Sequence, residues 1–297
     1  MKISHKFGEV FYDFYASKNK TIKTFILLHG AMSVNSIWDY LIDEIRNLGD
    51  VYVVSLAGHY PGIISWEEID DLDKFLNFQH EVLTKILERE KKHKEIILLG
   101  HSTGGTISIL LKILYPETYN KVIAIVPPIK EDLGIISPLN IPLNFLSHIK
   151  IKEDENWFMQ NYLLKKIAKN FKDIFFKSVL FFGFYSDDLT KNQEAEVNKF
   201  IEGIKKQRSS TLQNVVKITK NAINKYPWLY FSKGEIDLEN EALIIGAKED
   251  RMIPVSHHRE AAEKIKAQYF EIEKGGHFCL IENKKIIIEK IEEFFNN

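Results

Sequence analysis

The 297-residue sequence has a single cysteine, Cys279, and an almost balanced charge. One thiol cannot form an internal disulfide bond, and no cysteine cluster is present that could bind a metal ion. The formal net charge of −1 gives no electrostatic basis for binding nucleic acid or an anionic membrane surface. We therefore expect no metal centre and no nucleic-acid partner.

Long apolar runs are also missing from the sequence. No run approaches the ~20 residues that a membrane-spanning helix needs, and residues 1–6 lack the apolar segment of a signal peptide. We therefore expect a cytoplasmic protein without stable membrane insertion. Hydrophobic residues make up 45% and charged residues 27% of the sequence, which is typical of a globular protein. A chain of this length can form one large domain with an insertion.

What the sequence does contain is a regular alternation of apolar strands and amphipathic helices between residues 24 and 126, which resumes near residue 242. Continuously apolar strands are typical of a mostly parallel sheet covered by helices on both faces. Residues 1–129 and 239–297 are therefore predicted to form one α/β core domain. Besides one or two strands in residues 2–15, the predicted strands are Thr24–Leu28, Val51–Leu56, Ile96–Leu99, Lys121–Val126, Ala242–Gly246 and Tyr269–Ile272. The predicted helices are Ser36–Leu48, Leu72–Arg89, Thr106–Tyr115, Ser256–Ala267 and Lys284–Phe295.

The segment from residue 130 to residue 238 interrupts this alternation. Its pattern is helical and contains a dense group of aromatic residues, and we expect it to form a helical cap inserted after the sixth strand. The aromatic residues have two open interpretations, because they would either form the core of the cap or partly line an apolar substrate pocket. Under the second interpretation, the candidate substrate-binding residues are Met32, Trp157, Phe158 and Phe181.

The apolar strand Ile96–Leu99 ends in the sequence GHSTG at residues 100–104 and is followed by an apolar helix. This turn matches the pattern G-x-S-x-G, in which a serine occupies a sharp strand-to-helix turn and its hydroxyl projects above the sheet. Glycines flank the serine because the turn crowds the backbone against both elements. The start of the helix also supplies unpaired N–H groups that favour negative charge nearby. Ser102 is therefore the candidate nucleophile.

A serine hydroxyl is a weak nucleophile until a base removes its proton and a third group orients that base. His277 is the candidate base, because it follows the last predicted strand on a Gly-Gly loop. Asp250 is the candidate orienting acid on the loop after the preceding strand, and Glu249 beside it remains an alternative. All of these groups follow the carboxyl ends of strands, where ligands of open α/β sheets bind.

Negative charge that develops on a substrate carbonyl oxygen requires N–H donors that are already in place. The backbone of Thr103, directly after the nucleophile, is the first candidate donor of this oxyanion hole. The loop HGAM at residues 29–32 follows an earlier strand and supplies the second. Ala31 is the candidate there, with Met32 as the alternative.

Three further histidines and the cysteine are expected to be structural. His29 and His101 stand within the two motifs just described, and we interpret them as structural residues with satisfied hydrogen bonds. His59 is interpreted as a loop-stabilising residue and Cys279 as a packed, apolar one.

Several of these motifs together resemble those of the α/β-hydrolase superfamily, in particular its carboxylesterases and monoacylglycerol-lipase-like enzymes. The resemblance covers nearly the whole chain. The sequences HGA at residues 29–31 and LAGHYPG at residues 56–62 resemble the oxyanion loop and the loop after the next strand. GHSTGG at residues 100–105, DRMIP at 250–254 and GH at 276–277 resemble the nucleophile, acid and histidine loops. The order serine, acid, histidine along the chain is that of this family.

The sequence departs from the family pattern at several positions, among them Thr103, where Met or Gln is frequent. Ala57 stands where proline is usual, Tyr60 stands where glycine is common, and one extra residue separates Gly246 from Asp250. The family carries its cap where residues 130–238 are inserted, so the resemblance implies an α/β-hydrolase fold with an inserted helical cap.

The function predicted from these observations is hydrolysis of carboxylic esters through an acyl-enzyme intermediate on Ser102, without a cofactor. The expected partner is a small-molecule ester with an apolar acyl or aryl group, and a homodimer is left open. Two alternatives remain. The same triad would serve a thioesterase, acyltransferase, perhydrolase or carbon–carbon bond hydrolase, or the chain would be a catalytically silent binding protein with this fold.

Overall fold

The structure, a computed structural model, describes residues 1–31, 33–90, 95–129, 183–184, 189–204, 206–207, 211, 214 and 236–296. The candidate substrate-binding residues Met32, Trp157, Phe158 and Phe181 lie outside these described residues. The proposal that they contact substrate therefore stays a prediction.

The strands of the described residues form one nine-stranded, mostly parallel sheet. Its order is β1-β2-β4-β3-β6-β7-β8-β9, and the short β5 pairs with β2 outside this path. The pairs from β4 through β9 are parallel, whereas β1, β2 and β5 pair antiparallel at one edge. The strands are β1 Lys2–His5, β2 Gly8–Tyr15, β3 Lys23–Leu28, β4 Asp50–Val54, β5 Ile63–Ile64, β6 Glu95–His101, β7 Lys121–Ile125, β8 Ala242–Ala247 and β9 Gln268–Ile272.

Both faces of the sheet are buried, which explains why its central strands are apolar without interruption. Along β3, Phe25 and Leu27 belong to one core cluster, while Ile26 and Leu28 belong to the cluster on the opposite face. Successive side chains of a strand point to opposite faces, so a strand between two helical layers needs an apolar residue at each position. The predicted parallel sheet with helices on both faces is confirmed.

The helices cover these faces and connect the parallel strands. They are α1 Ile42–Ile45, α2 Leu72–Glu90, α3 Thr103–Leu114, α4 Lys191–Ile204, α5 Val255–Ile265, α6 Cys279–Glu282 and α7 Lys284–Asn296.

One predicted helix is not continuous. The range Ser36–Leu48 instead contains a 3₁₀ helix at Asn35–Trp38 and the single turn α1, joined by turns with i to i+3 hydrogen bonds such as Leu41 N–H to the Trp38 carbonyl. An apolar residue at every third or fourth position fits both kinds of turn, so the pattern could not separate them. The apolar residues of this range still reach the core.

The predicted insertion separates two strands that are neighbours in the sheet. β7 and β8 pair directly, in register from Val122 with Ala242 to Ile125 with Ile245. The two-residue β5 was not predicted, so β7 is the seventh strand of the described chain rather than the sixth. Only parts of the insertion are described, among them α4, and the predicted cap of residues 130–238 remains a prediction. None of the described helices is both long and apolar enough to cross a membrane.

Candidate active site

Ser102 occupies the single-residue turn between β6 and α3. Its backbone has φ 53° and ψ −128°, a conformation that a residue with a side chain rarely adopts. The flanking glycines allow this turn. A Cβ atom at Gly100 would lie 2.2 Å from the Gly104 carbonyl oxygen, and one at Gly104 would lie 2.2 Å from that of Leu28. The turn therefore holds the serine in a strained, fixed position at the end of a buried strand.

Three candidate site residues that are distant in sequence form a hydrogen-bonded chain at this turn. The Oγ of Ser102 lies 2.9 Å from Nε2 of His277, and Nδ1 of His277 lies 2.8 Å from Oδ2 of Asp250. A carboxylate only accepts hydrogen bonds, so Nδ1 carries the proton and Nε2 is free to accept the serine hydroxyl. In this arrangement His277 can accept the proton of Ser102 while Asp250 holds the imidazole in place.

The environment of Asp250 keeps its carboxylate ionised and fixed. Oδ1 accepts the backbone N–H groups of Met252 and Ile253, both at 2.8 Å, so both oxygens are bound. Burial alone raises the pKa of Asp250, but the charge and hydrogen bond of His277, with smaller contributions from His258 and the Ile253 N–H, bring the pKa below its ordinary value. Glu249, the alternative acid, is exposed to solvent. Asp250 is thus the acid that contacts the histidine.

The loop that carries His277 is held on several sides. The Glu282 carboxylate accepts the N–H of Gly276 at 2.8 Å. The Nε2–H of His101 donates to the carbonyl of His277 at 2.8 Å, and the N–H of Phe278 donates to the carbonyl of Gly183 at 2.8 Å. These bonds fix the backbone on both sides of His277, and the bond from Nδ1 to Asp250 orients its ring.

The loop after β3 lies directly beside the serine. A Cβ atom at Gly30 would lie 3.0 Å from Cβ and 3.4 Å from Oγ of Ser102, and the candidate donor Ala31 follows in sequence. The second candidate donor, Thr103, is the first residue of α3, where a backbone N–H has no partner within the helix. Gly30 thus lies beside the serine, while the roles of Ala31 and Thr103 as donors stay predictions, and Met32 lies outside the described residues.

His29, His59 and His101, three histidines outside the proposed proton relay, have neutral, buried rings. His29 donates from Nδ1 to the Gly30 carbonyl at 2.8 Å and accepts the Leu56 N–H on Nε2 at 3.2 Å. Burial lowers the pKa of His29, that of His59 to about 4 and that of His101 to about 3. His101 departs from the prediction in one respect, because its Nδ1 has no hydrogen-bond partner among the described residues.

Cys279 is fully buried, and burial raises its pKa well above the ordinary value, so its thiol is unreactive. Within the described ranges, no group of three or more His, Cys, Asp or Glu side chains is arranged to hold a metal ion.

Sequence reasoning missed two residues near the site. Phe278, next to His277, packs against Phe184 and Phe200 of the insertion with ring centroids 5.1 Å apart in each pair. Gln207, also from the insertion, bonds the backbone of both loops that follow β3 and β4. These contacts join residues that are far apart in sequence, so no local pattern could reveal them.

The model of the family described as alpha/beta hydrolase fold matches residues 23–284. The chain therefore belongs to the α/β-hydrolase superfamily, as the fold and the turn at Ser102 indicate. A search of curated proteins gave no match to this sequence.

Solved structures with the same fold cover almost the whole chain at low sequence identity. An esterase from Exiguobacterium antarcticum is 15% identical with a TM-score of 0.71, covering 98% of this chain and 96% of its own. An enol-lactonase from Burkholderia xenovorans is 13% identical with a TM-score of 0.72, covering 98% and 97%. A bromoperoxidase from Bacillus anthracis is 18% identical with a TM-score of 0.70, covering 98% and 96%. These similarities establish the α/β-hydrolase fold.

Proposed function

We propose that this protein is a serine hydrolase that cleaves carboxylic ester bonds through an acyl-enzyme intermediate. The observation that carries the proposal is the hydrogen-bonded chain from Ser102 through His277 to Asp250, with bonds of 2.9 and 2.8 Å. Its members come from three separate loops, and the serine sits in a strained turn. Strain of this kind persists where the surrounding structure fixes it, and it is frequent at active sites.

Acylation uses each member of this chain in turn. Nε2 of His277 removes the hydroxyl proton as Oγ of Ser102 forms a bond to the ester carbonyl carbon, which gives a tetrahedral intermediate. The Asp250 carboxylate stabilises the imidazolium that forms and keeps its Nδ1–H directed away from the serine. When the intermediate collapses, the imidazolium returns the proton to the departing alkoxide, so an alcohol leaves.

The negative charge of the tetrahedral intermediate falls on the former carbonyl oxygen. The backbone N–H groups of Thr103 and Ala31 are the proposed donors to this oxygen, and each such donor contributes about 3 kcal/mol to lowering the barrier. The N-terminus of α3, which carries the positive end of the helix dipole, begins directly after Ser102. It also favours negative charge on this oxygen.

Deacylation repeats these steps with water as the nucleophile. His277 removes a proton from water as its oxygen attacks the acyl carbon, and then returns the proton to Oγ of Ser102, which releases the carboxylic acid. No metal ion or organic cofactor takes part in the proposed cycle. Small esters with apolar acyl or aryl groups are the proposed substrates.

The direct test replaces Ser102 by alanine and measures hydrolysis of short p-nitrophenyl esters and labelling by a fluorophosphonate probe. We expect wild type to be labelled and active, and Ser102→Ala to lose labelling and to have a rate lower by on the order of 10⁴-fold or more. Ser108→Ala is a matched control, because this serine lies on the same helix but its hydroxyl donates to the Gly104 carbonyl. An unlabelled wild type, or unchanged hydrolysis by Ser102→Ala, would refute the proposal; the first result would indicate a binding protein.

A second candidate keeps the acyl-enzyme but transfers the acyl group to another acceptor. The bromoperoxidase and the enol-lactonase that share this fold are named for different reactions. The fold alone therefore does not identify the acyl acceptor. Supplying water, short alcohols and hydrogen peroxide as competing acceptors measures the partition of the acyl group directly. Preferential formation of ester or peracid would favour an acyltransferase or perhydrolase over the proposed esterase.

A further inference from the structure

The side chain of Gln207, in the insertion, forms hydrogen bonds to two loops of the core. Gln207 is buried, and its Nε2 donates to the carbonyl of Ser33 at 2.7 Å. Its Oε1 accepts the backbone N–H of Tyr60 at 2.8 Å. One amide therefore joins the loop after β3 to the loop after β4, and it uses both its donor and its acceptor.

The bond to Ser33 acts on the loop that carries a proposed oxyanion donor. The N–H of Ser33 donates to the carbonyl of Gly30 at 3.2 Å, which closes the turn that contains Ala31. Gly30 lies against Ser102, so the beginning of this turn is fixed by the nucleophile. Its far end, at the Ser33 carbonyl, is held by Gln207.

The backbone of the insertion is also close to this loop. A Cβ atom at Gly203, near the end of α4, would lie 2.3 Å from Cγ2 of Val34. This close approach places the chain that leads to Gln207 next to the loop. The amide therefore reaches the loop over a short distance, as a positioning group must.

We propose that Gln207 is a positioning residue that holds the oxyanion loop for the acyl-transfer step. The inference rests on the proposed function. An amide is required because the bridge needs a donor toward a carbonyl and an acceptor for an N–H group at the same time. Without the donor, the Ser33 carbonyl loses its buried partner, and the turn with Ala31 can move away from the position that the intermediate requires.

Two variants at Gln207 and one control separate positioning from general support. Gln207→Met removes both hydrogen bonds but keeps a side chain of similar length. Gln207→Glu keeps the acceptor for Tyr60, but its ionised form has no donor for Ser33. The control is Thr211→Val, because the buried Thr211 hydroxyl also bonds the insertion to the loop after β4, but at the Gly58 carbonyl rather than at the Ser33 carbonyl. Folding is checked by urea unfolding, and active sites are counted by fluorophosphonate titration.

We expect Gln207→Met to lower kcat per titrated site by on the order of 10-fold with little change in KM, since the oxyanion interaction forms only in the transition state. Thr211→Val should keep wild-type kcat even if it unfolds more easily. The glutamate variant has a distinctive pH profile. Burial raises the pKa of its new carboxyl, and the protonated acid again has a donor for Ser33. The kcat ratio of Gln207→Glu to wild type should therefore rise as pH falls, while the ratio for Gln207→Met stays flat.

The inference is overturned if Gln207→Met keeps wild-type kcat per titrated site. It is equally overturned if Thr211→Val loses as much kcat as Gln207→Met, or if the ratio for Gln207→Glu does not change with pH. These results leave the proposed function intact, because wild type would still be labelled and active. An inactive, unlabelled wild type would instead refute the proposed function and, with it, this inference.

Discussion

Replacing His258 by leucine is expected to make the protein less sensitive to acid. This histidine lies on α5 and is fully buried, and neither of its ring nitrogens has a hydrogen-bond partner among the described residues. Burial lowers its pKa from 6.5 to about 4. The nearby charges act in both directions, since Asp250 and Glu271 raise this pKa whereas His277 and His257 lower it.

The sign and size of the effect follow from proton linkage. In the unfolded chain the imidazole takes up a proton as pH falls below about 6.5, but the folded protein does not bind that proton until pH approaches about 4. The stability that His258 contributes is therefore present above the unfolded pKa and is lost as pH falls through this window. Between pH 7 and about 4.5, this one group removes about 2 kcal/mol from the free energy of unfolding.

Urea unfolding followed by circular dichroism at the two pH values measures this quantity. His258→Leu and His258→Asn both lack the titrating group, so both should lose about 2 kcal/mol less than wild type over this pH interval. The two variants will differ in absolute stability, because leucine leaves no unsatisfied polar group whereas asparagine does. If both variants keep the wild-type pH dependence, the imidazole binds a proton in the folded state and the reasoning is wrong.

Two further predictions concern the candidate catalytic residues. Asp250→Asn should lower kcat by on the order of 10⁴-fold with KM nearly unchanged, because an amide can donate to Nδ1 and favour the wrong tautomer of His277. Steady-state kinetics with p-nitrophenyl esters measure this loss. A decrease in kcat below about 10-fold would contradict the prediction. Ser102→Gly should be inactive but more stable than Ser102→Ala by about 1 kcal/mol, since glycine relieves the strain at φ 53°. Urea midpoints compare the two variants, and a glycine variant no more stable than the alanine variant would show that the turn is not strained.

The sequence predicted the elements that build the candidate site because their signals are local. The uninterrupted apolar run before Gly100 and the glycines around Ser102 are physical requirements of a buried strand that turns sharply into a helix. Asp250 and His277 could be chosen because each follows a strand of the same sheet, and the carboxyl ends of parallel strands meet at one edge.

The features that escaped prediction depend on contacts between distant residues. The range Ser36–Leu48 has helical spacing, yet its middle forms turns that place apolar side chains in the core. The burial of His258 could not be read from its neighbours, because it is set by packing of α5 on the sheet. Gln207 looked like any polar residue of the insertion, and only its two backbone partners in the fold distinguish it.

The direct pairing of β7 with β8 has a consequence for how this architecture can change. The ladder between these strands is complete without the residues that leave after one strand and return before the other. Length changes within that excursion therefore do not alter the pairing of these two strands, and the site itself depends on the excursion only through contacts such as those of Gly183 and Gln207. The remainder of the insertion can therefore change in sequence and length while the sheet and the loops that follow its strands keep their arrangement.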